Sequence, residues 1–208
     1  MTADHYFTAE PATPESRGRI EFTAAGRAYD LVVARGVFSA GRLDPGTAVL
    51  LRKADLPGAA TTGNLLDVGC GYGPITCVLA GEAPGATVYA IDVNARARDL
   101  TVENAAALGL ADRVRVSAPD EVPADVTFDE IWSNPPTHVG KAELHALMQR
   151  WLERLAPDGV AWVVINRNLG GDSLHGWLTS LGWDVARVAS QRGFRVLRIT
   201  RGAAGKTD

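Results

Sequence analysis

The feature that most constrains the fold of this chain is a regular alternation of strand-like and helix-like segments from residue 64 to residue 200. Short apolar runs alternate with longer stretches in which apolar residues recur at helical spacing. Alternation of this kind predicts an α/β fold with a doubly wound, mostly parallel sheet. Only residues 190–193 separate the last two strand-like segments, which is too short for a parallel crossover. The final strand is therefore expected to run antiparallel to the strand before it.

The pattern predicts seven strands in this region, at residues 65–68, 87–91, 114–116, 128–132, 160–165, 185–189 and 194–200. The helices between them are predicted to begin at Pro74 and to cover residues 95–108, 141–155 and 173–181. Gly109 and Gly182 directly follow two of these helices, at the position after a helix where glycine is favoured.

An N-terminal extension precedes the alternating region. Residues 19–24 and 27–34 alternate apolar and polar side chains around Ala25-Gly26, which predicts a β-hairpin. Asp44-Pro45-Gly46 predicts a turn, followed by a short helix through Leu50 and Leu51. With 208 residues, of which 46% are hydrophobic, one domain is expected. We divide it into an extension with a lid-like segment (1–53), a core (54–201) and a frayed tail (202–208).

The sequence also indicates a cellular compartment. The N-terminus has no signal-peptide pattern, because Asp4 precedes any basic residue and no apolar stretch follows. The longest apolar run, residues 160–165, is far shorter than the roughly 18 residues of a membrane span. Cys70 and Cys77 have no Cys or His partner at metal-binding spacing. A cytoplasmic protein with free thiols, no membrane association and no metal is therefore expected.

A glycine-rich loop follows the first strand of the alternating region. Gly69, Gly71 and Gly73 lie between a strand and a helix, where backbone without Cβ atoms can approach a bound cofactor. Asp92 ends the next strand, 19 residues after Gly73, where a carboxylate can accept hydrogen bonds from ribose hydroxyls. Asp67 precedes the loop; its charge would repel a pyrophosphate but attract the ammonium and sulfonium of S-adenosylmethionine. The glycines alone would also fit a turn that only lets helix and strand pack.

A second motif, Ser133-Asn134-Pro135-Pro136, follows the fourth strand at the same sheet edge as the glycine loop. Open α/β sheets bind their ligands at this edge. Pro136 restricts Pro135 to an extended conformation, and neither proline has an N–H group. The Asn134 amide oxygen and the Pro135 carbonyl can together hold the two hydrogens of a planar amino group. The alternative is that the prolines simply end a strand.

The two motifs, in this order and separation, resemble those of class I methyltransferases that modify planar amino nitrogens. More closely, the chain resembles the RsmC-like "methyltransferase small" family, whose characterised members are ribosomal RNA guanine-N2 methyltransferases. The segments that carry this closer resemblance are Gly36-Val37-Phe38-Ser39, Leu43-Asp44-Pro45-Gly46-Thr47 and Gly193-Phe194-Arg195-Val196-Leu197.

This resemblance implies a Rossmann-like class I fold with a seven-stranded sheet and S-adenosylmethionine as cofactor. It also implies the site residues. Those implied to bind the cofactor are Asp67, Gly69, Gly71, Gly73 and Asp92. Asn134 and Pro135, with Pro136 beside them, are implied to position the target amine.

The sequence departs from the family pattern at two places. Many amino methyltransferases follow Asn-Pro-Pro with an aromatic residue that stacks on the target, but here Thr137 and His138 follow. Ala118 stands where family members carry Asp or Asn for the adenine amine, and Asp120 is the candidate replacement.

Four residues are candidates for substrate contact: Phe38, Thr137, His138 and Arg195. The alternative interpretation of His138 is a solvated loop residue, and that of Phe38 is a residue of the hydrophobic core.

The leading hypothesis is an S-adenosylmethionine-dependent methyltransferase that modifies an exocyclic amine of RNA, guanine N2 of ribosomal RNA. Alternatives with the same chemistry are a protein glutamine amide, an adenine N6 and a small-molecule amine. A non-catalytic RNA-binding module is an alternative of another class, and an NAD oxidoreductase is a more distant one. Methyl transfer from a sulfonium needs no protein nucleophile and no metal, so the absence of such motifs fits the leading hypothesis.

The charge distribution bears on the RNA hypothesis. The net charge of −3 excludes a uniformly basic protein, but residues 17–53 carry seven bases and three acids, or +4. Residues 185–208 carry six bases and one acid, or +5, while residues 54–184 carry −9. Nearly all the bases are arginine, which suits forked contacts with phosphate. We predict that the two positive segments converge on the face around Asn134 and bind RNA there.

Overall fold

A computed structural model describes residues 16–37, 41–136 and 140–202 of the chain. Its strands are β1 (Arg17–Ala24), β2 (Arg27–Ala34), β3 (Thr62–Val68), β4 (Gly85–Ile91), β5 (Val114–Ser117), β6 (Phe128–Ser133), β7 (Leu155–Asn166), β8 (Trp183–Gln191) and β9 (Phe194–Arg201). Its α-helices are α1 (Pro45–Lys53), α2 (Pro74–Glu82), α3 (Ala95–Ala107), α4 (Lys141–Leu152) and α5 (Gly171–Ser180).

Seven strands form one sheet in the order β5-β4-β3-β6-β7-β9-β8. The pairs β4–β5, β3–β4, β3–β6 and β6–β7 are parallel, which confirms the predicted doubly wound sheet. The last strand, β9, lies between β7 and β8 and runs antiparallel to both, as expected from the short link before it. The carboxyl ends of β3, β4 and β6 therefore meet at one edge of the sheet.

The predicted hairpin is confirmed and forms a separate two-stranded sheet. β1 and β2 pair antiparallel, and Ala25 and Gly26 both have positive φ, as a two-residue turn between twisted strands requires. Buried side chains of the hairpin, including Tyr29 and Leu31, join the core on the sheet face that α1, α2 and α3 cover. A second core lies on the opposite face, beneath α4 and α5. The extension is thus packed onto the core.

One local prediction was wrong. The helix predicted over residues 141–155 ends at Leu152, and Leu155 already belongs to β7, where it pairs with Phe128. Arg154 lies between α4 and β7, and its guanidinium donates to the backbone carbonyls of Pro123 and Val126. No glycine or proline stands between Leu152 and Leu155, so the sequence pattern gave no stop signal there.

At Asp44-Pro45-Gly46 the predicted turn is the first turn of α1, and the predicted short helix through Leu50 and Leu51 is confirmed. Asp44 is the N-cap: its Oδ1 accepts from the backbone N–H of Thr47 at 2.9 Å, and Pro45 occupies the first helical position. Both are favoured placements for these residue types, because a cap accepts an otherwise unpaired N–H and Pro lacks one.

Among the described residues, no helix is long and apolar enough to cross a membrane. In the same ranges, no group of three or more His, Cys, Asp or Glu side chains is placed to hold a metal ion. Cys70 and Cys77 are buried free thiols.

Candidate active site

The glycine loop joins β3 to α2 in a conformation that depends on its glycines. Gly69 and Gly71 have φ of +78° and +59°, and a Cβ atom on either would meet nothing within 4 Å. The backbone there faces open space, so a ligand can lie directly against it. At Gly73 a Cβ would come within 3.1 Å of the Thr101 side chain on α3. The third glycine therefore permits close packing of loop and helix.

Asp67 lies directly beneath this loop and is fully buried. Its Oδ2 accepts from the backbone N–H of Thr76 at 3.0 Å and from the Thr76 hydroxyl at 2.6 Å. Burial raises the pKa of Asp67 to about 7, although the Thr76 hydrogen bonds oppose the shift. Its Oδ1 has no hydrogen-bond partner among the described residues. A buried carboxylate with an unpaired oxygen fits a site that receives a positively charged ligand, and its charge would act through the loop above it.

Asp92 follows β4 on the other side of the loop. Its Oδ2 accepts from the backbone N–H of Gly71 at 3.0 Å, and its Oδ1 accepts from that of Asn94 at 2.8 Å. Burial raises the pKa of Asp92, and the two backbone hydrogen bonds work against that shift. Each oxygen keeps a second lone pair, and the residue is partly exposed, so hydroxyl donors can still reach it.

The structure places Asp120 at the surface. It lies in a single 3-10 turn after β5, its side chain is 90% exposed, and its Oδ1 pairs with Arg150 of α4 at 2.9 Å. Ala118, the other candidate for this position, donates its backbone N–H to Glu121 Oε2 at 2.7 Å. The adenine-binding role of Asp120 stays a prediction.

Asn134 emerges from the end of β6 and is held by the first turn of α1. Its Nδ2 donates to Asp44 Oδ1 at 2.7 Å and to Thr47 Oγ1 at 3.0 Å. Just before it, the Ser133 hydroxyl donates to the Val68 carbonyl at 2.8 Å, which ties β6 to the start of the glycine loop. Since a carboxylate only accepts, the amide must turn its NH₂ toward Asp44 and its oxygen away. Among the described residues, Asn134 donates through Nδ2 and accepts no hydrogen bond through Oδ1.

Sequence reasoning did not identify Asp44 and Thr47 as site residues. The signal was present, because both belong to the Leu43–Thr47 segment that carries part of the family resemblance. Their contact with Asn134 spans 90 and 87 positions of sequence, a separation that local patterns cannot report.

The structure describes one of the four residues that were predicted to contact the substrate. Phe38, Thr137 and His138 lie outside the described residues. Arg195 is buried on the face covered by α5, where it forms an ion pair with Asp172 in the first turn of that helix. The structure therefore brings Arg195 to α5 and not to Asn134, and its role in substrate binding stays a prediction. Its neighbour Phe194 lies on the side of α1 instead.

The segment before α1 connects both halves of the site. The Gly36 carbonyl accepts from Asn94 Nδ2 at 3.0 Å, beside the acidic end of β4. At the other end of the segment, Asp44 holds Asn134. The N-terminal extension thus contacts both the side of the glycine loop near Asp92 and the Asn-Pro-Pro end of β6.

Strand order and loop together define the class of the protein. A seven-stranded sheet in this order, with one antiparallel strand inserted next to the edge strand and a glycine loop after β3, is the class I methyltransferase fold. Enzymes of this class use S-adenosylmethionine as methyl donor, and this chain is one of them.

The family within this class is also identified. Residues 28–198 match the family described as "Methyltransferase small domain", and the chain belongs to it. It is 32% identical over 202 residues to the uncharacterized protein YbxB of Bacillus subtilis, covering 96% of this chain and 99% of that protein. It is 35% identical over 207 residues to ribosomal RNA small subunit methyltransferase C of Pseudomonas entomophila, covering 97% of this chain and 60% of that one.

A solved structure shows the same relationship. A 16S rRNA N2 methyltransferase (RsmC) of T. thermophilus, in complex with AdoMet and guanosine, has a TM-score of 0.74 and 26% identity to this chain. The match covers 92% of this chain and 52% of that one. The chain thus spans between half and two thirds of these two RNA methyltransferases.

Proposed function

We propose that this protein transfers a methyl group from S-adenosylmethionine to an exocyclic amine of RNA, and that the amine is guanine N2 of ribosomal RNA. The observation that carries the proposal is the fixed orientation of Asn134 at the sheet edge beside the glycine loop. Its NH₂ group is fully used by Asp44 and Thr47, so a hydrogen-bond acceptor faces the ligand side. An acceptor in this position suits an amino group, which presents hydrogens, and not a carbonyl or phosphate.

The residues of the chain account for the chemical step as follows. Asn134 Oδ1 and the Pro135 carbonyl accept the two hydrogens of the target amine and draw its nitrogen out of conjugation with the base. The freed lone pair then points toward the glycine loop, and its alignment supplies most of the rate, since effective molarities can reach about 10⁵ M or more. After the new N–C bond forms, one proton of the cationic amine leaves to solvent.

The site fits the donor. S-adenosylmethionine, when bound, supplies a methyl group on a positively charged sulfur that takes back the bonding electrons. Gly69 and Gly71 leave space for it against the backbone. Asp92 keeps lone pairs that can accept from the ribose hydroxyls. Asp67 lies beneath the loop, and because its pKa is raised to about 7, it supplies negative charge only in its ionised form.

The choice of RNA is supported by the names of the relatives and by charge. Arg52, in the last turn of α1, donates to Gln191 at the β8–β9 turn at 2.9 Å, so the two positive segments of the chain touch each other. A base in folded RNA must be unstacked to reach Asn134, which costs a few kcal/mol. Ribosomal RNA as substrate also agrees with the cytoplasmic location that the sequence predicts.

Nucleoside analysis tests the proposal. Wild-type protein is incubated with methyl-labelled S-adenosylmethionine and, separately, unmodified 16S ribosomal RNA, small ribosomal subunits and a protein fraction. Label is expected in N2-methylguanosine, and Asn134→Ala is expected to lower the rate by 10²-fold or more, on the order of other lost transition-state contacts. Label in a methylated adenosine would mean that the target base is adenine and not guanine. Label only in protein glutamine or small amines would contradict the RNA proposal.

A further inference from the structure

Two sequence segments outside the glycine loop and Asn-Pro-Pro meet at the first turn of α1. They are Leu43–Thr47 and Gly193–Leu197. A Cβ atom on Gly46 would come within 3.0 Å of the Phe194 ring and 2.9 Å of Asp44 Oδ1. Gly46 thus leaves room for both neighbours, and Phe194 packs against the start of the helix. The two segments together fix the place from which α1 contacts Asn134.

Asp44 does more at this turn than cap the helix. A cap needs one oxygen to accept a backbone N–H, and Oδ1 does so for Thr47 at 2.9 Å. The same oxygen also accepts one hydrogen of Asn134 Nδ2 at 2.7 Å, and the Thr47 hydroxyl accepts from that nitrogen at 3.0 Å. Helix capping requires neither of these two contacts. Both serve the orientation of the Asn134 amide.

The network has two physical effects on the amide. Turning the amide by 180° would place its oxygen against the Asp44 carboxylate, so the orientation with the oxygen outward is strongly favoured. A hydrogen bond from the amide to a negative charge also polarises it and makes its oxygen a stronger acceptor. The negative charge of Asp44 in addition favours the positive charge that develops on an attacking amine.

We propose that Asp44 and Thr47 are positioning residues of the methyl-transfer site, which act through Asn134 to aim and strengthen the oxygen that holds the target amine. The inference rests on the proposed function, because it needs an amine held by Asn134. Neither cofactor binding nor helix formation explains the contacts of Asp44 and Thr47 with Asn134. The proposal gives these contacts a role.

Substitutions of Thr47 separate positioning from folding. Thr47→Val keeps the shape of this buried side chain and removes the hydroxyl, whereas Thr47→Ser keeps the hydroxyl. We expect Thr47→Val to lower the single-turnover methylation rate on unmodified 16S ribosomal RNA by about 10-fold, as for other groups that orient a site residue. Thr47→Ser is expected to stay within about twofold of wild type by the same reasoning. Thr179→Val, which removes an exposed helical hydroxyl bonded to the His175 carbonyl at 3.0 Å on α5, is the control for loss of a threonine hydroxyl outside the site and is expected to keep the wild-type rate.

Substitutions of Asp44 test the charge. Asp44→Asn keeps a good N-cap and an acceptor but removes the charge, and Asp44→Ala removes both. We expect rates lowered by about 10-fold and about 100-fold, respectively. The affinity for S-adenosylmethionine, measured by calorimetry, is expected to stay at the wild-type value in every Asp44 and Thr47 variant, which a general loss of structure would not allow.

The outcomes distinguish the two proposals. If wild-type protein methylates RNA and both Thr47→Val and Asp44→Asn turn over at its rate, the positioning role is wrong. A raised KM for RNA with unchanged turnover would overturn it as well, because α1 would then bind RNA and not aim Asn134. If wild-type protein labels no RNA, the proposed function fails, and the positioning role fails with it.

Discussion

At the scale of single residues, the burial of Asp67 has a cost in stability at neutral pH. Its carboxyl group is fully buried, and burial raises its pKa from 3.8 to about 7. Between these two values the folded protein holds a proton that the unfolded chain has released. The stability contributed by this proton is complete below pH 3.8 and is lost as the pH rises through about 7.

Asp67→Asn is therefore expected to be more stable than wild type at neutral pH. The neutral amide needs no proton and can still accept from Thr76. The difference in free energy of unfolding should grow from pH 4 to pH 7 and level off above it, reaching on the order of a few kcal/mol at 1.36 kcal/mol per pKa unit. Urea denaturation of both proteins across this pH range measures it.

Asp55→Asn, at an exposed position, is the control for the loss of one carboxyl group from the chain. Equal pH dependence of Asp67→Asn and wild type would contradict the prediction. The variant is also expected to bind S-adenosylmethionine more weakly, because the charge beneath the loop is gone. A gain in stability with a loss in binding would identify Asp67 as a functional residue that reduces stability.

At the scale of elements, Asn104 of α3 joins three parts of the structure. Its Nδ2 donates to the carbonyls of Val32 in β2 and Tyr72 in the glycine loop, at 2.9 and 2.8 Å. Its Oδ1 accepts from the Val32 N–H at 2.8 Å. One buried amide thus satisfies three backbone groups, and it holds the hairpin and the glycine loop against the same helix.

Asn104→Ala is expected to lower the free energy of unfolding by roughly 3 kcal/mol, because it leaves three backbone groups without a partner. The neighbouring Glu103 is a matched control, since it also links α3 to the hairpin, through an exposed ion pair with Arg17 at 2.8 Å. Glu103→Ala is expected to cost about 0.5 kcal/mol or less, as exposed pairs usually do. Similar losses in both variants, measured by urea denaturation, would contradict the special role of Asn104.

The elements also show what the sequence can predict. Periodicity and glycine positions predicted all seven strands of the sheet, and a short link predicted the antiparallel β9, because these depend on local chain geometry. The end of α4 was predicted wrongly, because no glycine or proline marks it, and the bonds of Arg154, just beyond it, go to carbonyls about 30 positions away. Asn134 was predicted as a site residue from its motif, but its contacts with Asp44 and Thr47 were not predicted. Their contacts with Asn134 exist only after the extension has packed on the core.

At the scale of the whole molecule, α1 links the site to the basic parts of the chain. Its first turn holds Asn134, and its last turn carries Arg52 and Lys53. Arg52 reaches Gln191, next to the exposed Arg192 in the β8–β9 turn. A helix of nine residues is about 13 Å long, so Arg52 and Lys53 lie at most about that far along the helix from the first turn, which holds Asn134. We call Arg52, Lys53 and Arg192 the basic end of α1.

The basic end of α1 is expected to bind phosphates of nucleotides that flank the target base. Replacing all three cations by Gln should weaken binding of 16S ribosomal RNA and reduce the slope of log K against log salt by about 2, at about 0.7 per phosphate contact with single strands. Filter binding between 50 and 200 mM salt measures both effects, in the range over which such contacts lose affinity steeply. The affinity for S-adenosylmethionine should not change, because none of the three residues contacts the glycine loop.

A variant of equal charge separates this local effect from net charge. Arg19, Arg27 and Arg115 are exposed. Arg19 and Arg27 belong to the first positive segment but lie on the hairpin, which packs against α3, and Arg115 lies on β5, the strand at the other edge of the sheet from β8. Their replacement by Gln changes the net charge equally, and the salt slope is expected to stay at the wild-type value. An equal reduction of slope in both triple variants would mean that RNA responds to the overall charge of the protein. The predicted convergence of the two positive segments near Asn134 would then not explain RNA binding.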